Sequence, residues 1–272
     1  MNKKIIKIKG VFNPILRTYF LEFRLRWKRV LFFYFTTIFF ALLYSFFYPY
    51  HFDECRFYRN GITYFRFFLI FVSCFFFSDI VCSEFSKKTG YIMFPKINKY
   101  KLIVGKFVAN LNIIILLVII YYLTMNFSTI VIYNTIIPES YLSLGIAIIY
   151  TITLSTLILF LSSIMPSVNF STVTVVLINL IGFPILEQVL TAINQEIEPI
   201  FSLNYIGNLI NHTIPGGLPV GQRWNWVYYA GDILPPVKVW FTPTIEVGIL
   251  IMSFYTALFF LFMLIAIKRK EL

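Results

Sequence analysis

Long apolar runs separated by short polar connections make up most of the chain. Val30 to Tyr48, Tyr64 to Val81, Ile103 to Leu123, Leu142 to Met165, Ser171 to Leu190 and Val247 to Ile267 are each 18 to 24 residues long. About 20 apolar residues in a helix cross the ~30 Å hydrocarbon core of a bilayer. The pattern predicts an all-α, polytopic integral membrane protein with six transmembrane helices in a single domain, 1–272.

Two stretches depart from this rhythm. Within residues 1–29, Asn13-Pro14 reads as a helix start, an Asn cap followed by Pro at the first helical position. Leu16, Phe20, Phe23, Trp27 and Val30 then recur on one side with arginines on the other, which predicts an amphipathic helix lying on the membrane surface. The run that begins at Val30 is too long for a cleaved signal peptide and has no small-residue cleavage site. The second departure is 191–246, a mixed segment placed outside the membrane. In it, Ile200 to Ile214 predicts a short helix dipping into the outer leaflet, stopped by Pro215-Gly216-Gly217. Trp224, Trp226, Tyr228 and Tyr229 read as an interfacial aromatic belt. Just before this segment, Gly182-Phe183-Pro184 predicts a kink or early end in the fifth span.

Charge orients the pattern. Residues 1–29 hold nine basic residues against one acid, Glu22; six lysines follow between Glu84 and Lys106; Lys268, Arg269 and Lys270 close the last span. With 18 of 23 basic residues in these three places, the positive-inside rule puts both termini and the 84–102 connection in the cytoplasm of a cell-membrane protein. Arg66 is expected to snorkel at the outer end of the second span. Asp79, at its inner end, is expected to be hydrated or paired with a nearby lysine. Glu187, beyond the proline break, is expected to line a cavity or sit among head groups.

Composition removes several classes of function. Hydrophobic residues are 59% of the chain, charged residues 13%, and mean hydropathy is +0.80, so a soluble domain is excluded. The net charge of +11 comes in clusters between apolar runs and makes no continuous face for nucleic acid. Aromatic residues are 20% of the chain, a share read as compositional bias and membrane-interface preference. Cys55, Cys74 and Cys82 have no pairing or metal-ligand spacing, and His212 stands alone. Asn211-His212-Thr213 is a glycosylation sequon. Gly105-Lys106 lacks the rest of a phosphate loop, and no zinc motif, nucleophile elbow or pair of catalytic carboxylates can be assembled. The chain reads as a non-enzyme that binds no cofactor itself. Its spans are nearly free of ionisable residues, unlike those of ion-coupled carriers, which favours a framework driven by a partner.

The connection at 84–102 carries a resemblance. Glu84 follows the second span, then come Phe85, Lys87-Lys88-Thr89-Gly90, Tyr91 and Pro95, with Gly105-Lys106 leading into the third span. With the order of its spans, this resembles the ABC-2 type permeases of ATP-binding cassette exporters. The resemblance implies that Glu84, Phe85, Lys87, Lys88, Thr89, Gly90 and Tyr91 form a coupling helix seated on a separate ATPase subunit, which binds ATP and Mg. It further implies a translocation pathway shared with a second permease copy or homologue. The contrasting expectation is a non-transporting receptor or immunity-type protein that binds a ligand through 191–246.

Overall fold

The computed structural model describes residues 2–48, 53–86, 99–216, 222–227 and 236–269, and the side chains of these residues except at 2–14, 83–86 and 99. Six helical stretches are long and apolar enough to cross a membrane: Ile15–Phe47, Glu54–Cys82, Tyr100–Tyr133, Glu139–Ile164, Val168–Ile193 and Ile245–Arg269. The architecture is that of a mostly helical multi-pass membrane protein.

The elements are α1 (Asn2–Phe47), α2 (Glu54–Ser86), α3 (Lys99–Tyr133) and α4 (Glu139–Ile164), followed by α5 (Val168–Leu177), a π turn (Ile178–Gly182) and α6 (Phe183–Ile193). Then come the short α7 (Leu203–Gly207) and α8 (Leu209–His212), strands β1 (Trp224–Val227) and β2 (Val237–Trp240), and α9 (Ile245–Arg269). Helices α2 and α4 form the enclosed centre; α1 lies along α3, and α9 along α4. The bundle has a basic end, where α1 meets the end of α2 at Asp79 and the start of α3 at Lys106, and a capped end formed by the described residues of 191–246.

The first correction concerns α1. Asn13-Pro14 does not begin it, and no separate surface helix precedes the first span; one helix runs from Asn2 to Phe47. No Pro or Gly lies between Ile15 and Val30, so nothing breaks the amphipathic run before the apolar one begins. Its 33-residue membrane candidate measures about 50 Å at the helical rise, well beyond the hydrocarbon core. The surplus carries Glu22, Arg26 and Arg29 on the same rigid rod as the span.

The expected proline break in the fifth span is present as a change of winding. The chain widens into a π turn over Ile178–Gly182 and returns to α-helix at Phe183, with Pro184 in the first turn. A proline has no N–H to give and its ring crowds the carbonyl four residues back, so a widened turn lets the helix continue.

Many aromatic residues lie in the core. Phe57, Tyr58, Phe76, Phe77, Tyr121, Tyr122 and Tyr150 are fully buried, and the Phe65 and Tyr121 rings stack at 3.8 Å. The aromatic share read as compositional bias also has a packing use, because these rings fill the gaps between α2, α3 and α4.

The cap also departs from a purely helical fold. The expected dipping helix exists as two short pieces, α7 and α8, hinged at Asn208. Tyr205, Ile206, Leu209 and Ile210 are buried against the bundle, and Ser143 of α4 donates to the Ile210 carbonyl at 2.7 Å. A Cβ on Gly207 would sit 2.8 Å from the Tyr150 ring, so glycine there allows α7 to press against α4. Beyond them, β1 and β2 pair antiparallel with Trp224 opposite Trp240 and Trp226 opposite Lys238.

Candidate functional site at the ends of the basic connection

Glu84 and Phe85 occupy the last turn of α2. Lys87, Lys88, Thr89, Gly90 and Tyr91 lie outside the described residues. The flanks of this connection are described, and both are tied to α1.

Arg26 of α1 is the centre of the junction. Its Nε donates to Glu22 Oε2 at 2.7 Å, one helical turn back. Its two terminal nitrogens reach Asp79 Oδ1 at 3.2 Å each, and Nη2 reaches Oδ2 at 3.1 Å. A forked guanidinium matches a carboxylate in this way and fixes its orientation. Arg26 Nη1 also reaches the Phe76 carbonyl at 3.4 Å, and Arg29 Nη1 reaches the Phe75 carbonyl at 3.4 Å and Asp79 at 4.0 Å. On the other flank, Lys106 Nζ of α3 lies 3.2 Å from Glu22 Oε1.

Asp79 stands five residues before Glu84, and Lys106 lies just past Lys101 at the start of the third helix. The last turns of α2 and the first turns of α3 are therefore pinned to one face of α1. Glu22 is only 4% exposed, so its two basic partners supply the compensation that a buried carboxylate needs. Close backbone approach completes the junction: a Cβ on Gly105 would lie 2.9 Å from Thr18 Cβ and 3.1 Å from the Ile15 carbonyl oxygen. Asp79 is paired as expected, but with arginines from α1. The i, i+4 pair Glu22/Arg26 was readable in the sequence; the reach from Arg26 across 53 positions was not.

A second polar network sits at the capped end. Arg66 does not snorkel: it is 6% exposed and donates to the Asn204 carbonyl at 3.4 Å, to Asn204 Oδ1 at 3.3 Å and to Asn208 Oδ1. Glu187 of α6 accepts from Ser202 Oγ and, at 3.3 Å, from Asn204 Nδ2. Asn208 Nδ2 then donates to the Phe241 carbonyl at 3.0 Å. Glu187 is thus a strut between α6 and the cap.

Ion pairs close the outer layer. Lys238 Nζ lies 2.6 Å from Glu196 Oε2 and 4.7 Å from the centres of the Trp224 and Trp240 rings, held between two indole faces. Arg223 Nη1 contacts Glu198 at 3.2 Å, and Tyr205 donates to Glu198 Oε1 at 2.8 Å. Burial and that bond to Glu198 push the Tyr205 hydroxyl pKa up. Burial, and then Arg59 and Arg66, bring the His212 imidazole down to about 4. Trp224 and Trp226, expected in an aromatic belt, pack edge to face on β1 with centroids 5.8 Å apart; Tyr228 and Tyr229 lie outside the described residues. Asn211, the sequon residue, is 7% exposed, which blocks its side chain from modification in the folded protein.

Among the described residues, no three His, Cys, Asp or Glu side chains gather to hold a metal ion. No protein-family model matches the chain, and no curated protein does. The functional reading therefore rests on the two networks.

Proposed function

We propose that the chain is the membrane-spanning permease subunit of an ATP-binding cassette exporter. It would pair with a second copy or a homologue and be driven by separate ATPase subunits on the basic end, which faces the cytoplasm. One observation carries this reading: both flanks of the 84–102 connection are tied by ion pairs to α1 through Asp79, Arg26, Glu22 and Lys106. A partner that displaces the connection would displace α1 with it, because α1 is one helix from Asn2 to Phe47. Force applied at the membrane surface would then reach the bilayer without a hinge.

The ionisable groups within the spans fit the same reading. Asp79, Arg66 and Glu187 are each bonded to protein groups, so they serve as struts, and the energy for uphill movement comes from a partner. ATP and Mg belong to that partner. Within the connection, Glu84, Phe85, Lys87, Lys88, Thr89, Gly90 and Tyr91 are assigned to its contact surface.

The test is co-expression with an ATP-binding cassette subunit encoded beside this gene. The two should co-purify, and Glu84→Ala or the charge reversal K87E/K88E should reduce assembly or stimulated ATP turnover. Unchanged assembly and turnover in both variants would refute the assignment. The cap favours a second reading, a receptor that binds ligand without transport, because 191–246 is built from its own ion pairs and strand pairing. Ligand protection that persists with no ATPase partner in the cell would decide for that reading.

A further inference from the structure

Arg56, Arg59, Thr63, Asn211, His212 and Phe241 line a cleft of about 380 Å³ at the capped end. Its charge is one-sided: two guanidiniums line it and, among the described residues, no carboxylate does. Arg26 and Arg223 each find an acid, whereas Arg56 and Arg59 enter no ion pair with the described residues. Two neighbouring guanidiniums without a counter-charge favour an anion from outside, and forked donors suit the paired oxygens of a phosphate.

Asn211 supplies an independent sign of a ligand. It is 7% exposed, lines the cleft, and its carboxamide oxygen is buried with no hydrogen-bond partner. Carboxamides buried in proteins are normally satisfied, and a half-turn of the amide offers either a donor or an acceptor to a guest. The His212 and Phe241 rings, with centroids 6.2 Å apart and planes tilted 55° to each other, give the cleft an angled aromatic wall.

Depth identifies the source. Arg59 precedes Asp79 by 20 residues on the single helix α2, about 30 Å along its axis, which is one hydrocarbon thickness. If Asp79 and Arg26 mark one head-group layer, the cleft lies level with the other. We propose that the cleft binds the phosphate of a phospholipid head group, with Arg56 and Arg59 on its free oxygens, the Asn211 amide turned to donate its NH2 to the esterified side, and the aromatic wall against the first carbons of the glycerol. A free phosphate ion shares this chemistry but has no reason to sit at that depth. The inference goes beyond the transport reading and needs no ATPase, so either can fail alone.

The experiment is native mass spectrometry of the purified full chain titrated with dioleoylphosphatidylglycerol, with diacylglycerol and inorganic phosphate as further probes. The native chain and the exposed-site control Arg24→Gln should retain the phospholipid equally. R56Q/R59Q should lose affinity by about tenfold, the loss expected when charge-assisted bonds to phosphate are removed. R56K/R59K, which keeps the charge, should recover most of the binding. Undiminished binding by R56Q/R59Q would overturn the site, as would equal retention of diacylglycerol. A loss in R56K/R59K as large as in R56Q/R59Q would show that the arginines act through the fold, and full displacement by millimolar inorganic phosphate would rule out the lipid as the occupant.

Discussion

Arg26 and Arg66 are both carried on long apolar helices, yet the two ends of the bundle satisfy them by different means. Arg26 meets two full negative charges, Glu22 and Asp79, at distances of 2.7 to 3.2 Å. Arg66 meets amide oxygens of Asn204 and Asn208, and its nearest carboxylate, Glu187, acts one residue removed through Asn204. The first arrangement joins the helices on either side of the basic connection, where the Asp79 side chain is a quarter exposed. The second seals a cap into the bundle, where Arg66 is 6% exposed. The Asp79 part of the ionic joint, a quarter exposed, is open to solvent screening, whereas Glu22 is held as a buried pair. A buried arginine held by neutral acceptors resists change, because each bond broken leaves an unsatisfied group in a low-dielectric setting. The basic end has the properties of a moving joint and the capped end those of a fixed plug.

The largest effect that could break this contrast is Arg66→Leu. It strands the Asn204 and Asn208 oxygens and removes the cation nearest Glu187, a loss of about 3 kcal/mol for a buried charged group stripped from its partners. Thermal unfolding in nanodiscs should show a clear fall in midpoint, with protease sensitivity rising first within 191–246. A midpoint within a degree of the native value would mean that the plug is not held by this network.

Asp79→Asn should cost less, about 1 kcal/mol, because the carboxylate is a quarter exposed and solvent screens the pair. Its larger effect should fall on coupling. On the proposed ATPase coupling, combining it with Arg26→Gln in a double-mutant cycle should show non-additive loss of ATPase stimulation. Additive losses would separate the two residues and weaken the idea of a joint.

Gly105 tests the same joint sterically. A methyl group there meets Thr18 at 2.9 Å, so Gly105→Ala should push α1 away from α3. The gain of about 1 kcal/mol in helix propensity offsets part of the strain, so the net loss should be below about 1 kcal/mol. Thr18→Gly in the same chain should restore native ATPase coupling. Failure of that rescue would remove the close approach from the account of coupling.

These outcomes also mark what could be read from the linear chain. The six spans were legible because hydropathy acts locally, over windows of about 20 residues. The fusion of the surface helix with the first span was missed because Asn13-Pro14 is a good start signal that the neighbouring helical run overrode. Arg66 was expected to snorkel because its acceptors lie 138 and 142 positions away, on a segment whose polar composition looked merely external. Pairing of this kind depends on where the cap docks, and no local period encodes that. The coupling residues Lys87 to Tyr91 remain assigned by resemblance, while the junction on their flanks was found only once α1, α2 and α3 were seen together.

The smallest effect sharpens the plug by pH. His212 has its pKa lowered to about 4 in the folded protein by burial and by Arg59 and Arg66, against about 6.5 in an unfolded chain. Between these values the unfolded chain binds the extra proton, so stability from the neutral histidine is complete above about pH 6.5 and is lost as pH falls toward about 4. Glu139 and Glu246 line the adjoining cleft with His212. Comparison of the native chain with His212→Gln isolates the histidine from them. The variant should show a flatter dependence of unfolding midpoint on pH between about 6.5 and 4.5. Equal slopes for His212→Gln and the native chain would mean that the imidazole is hydrated at the cap, and that the plug is more open around α8 than its buried neighbours Leu209 and Ile210 imply.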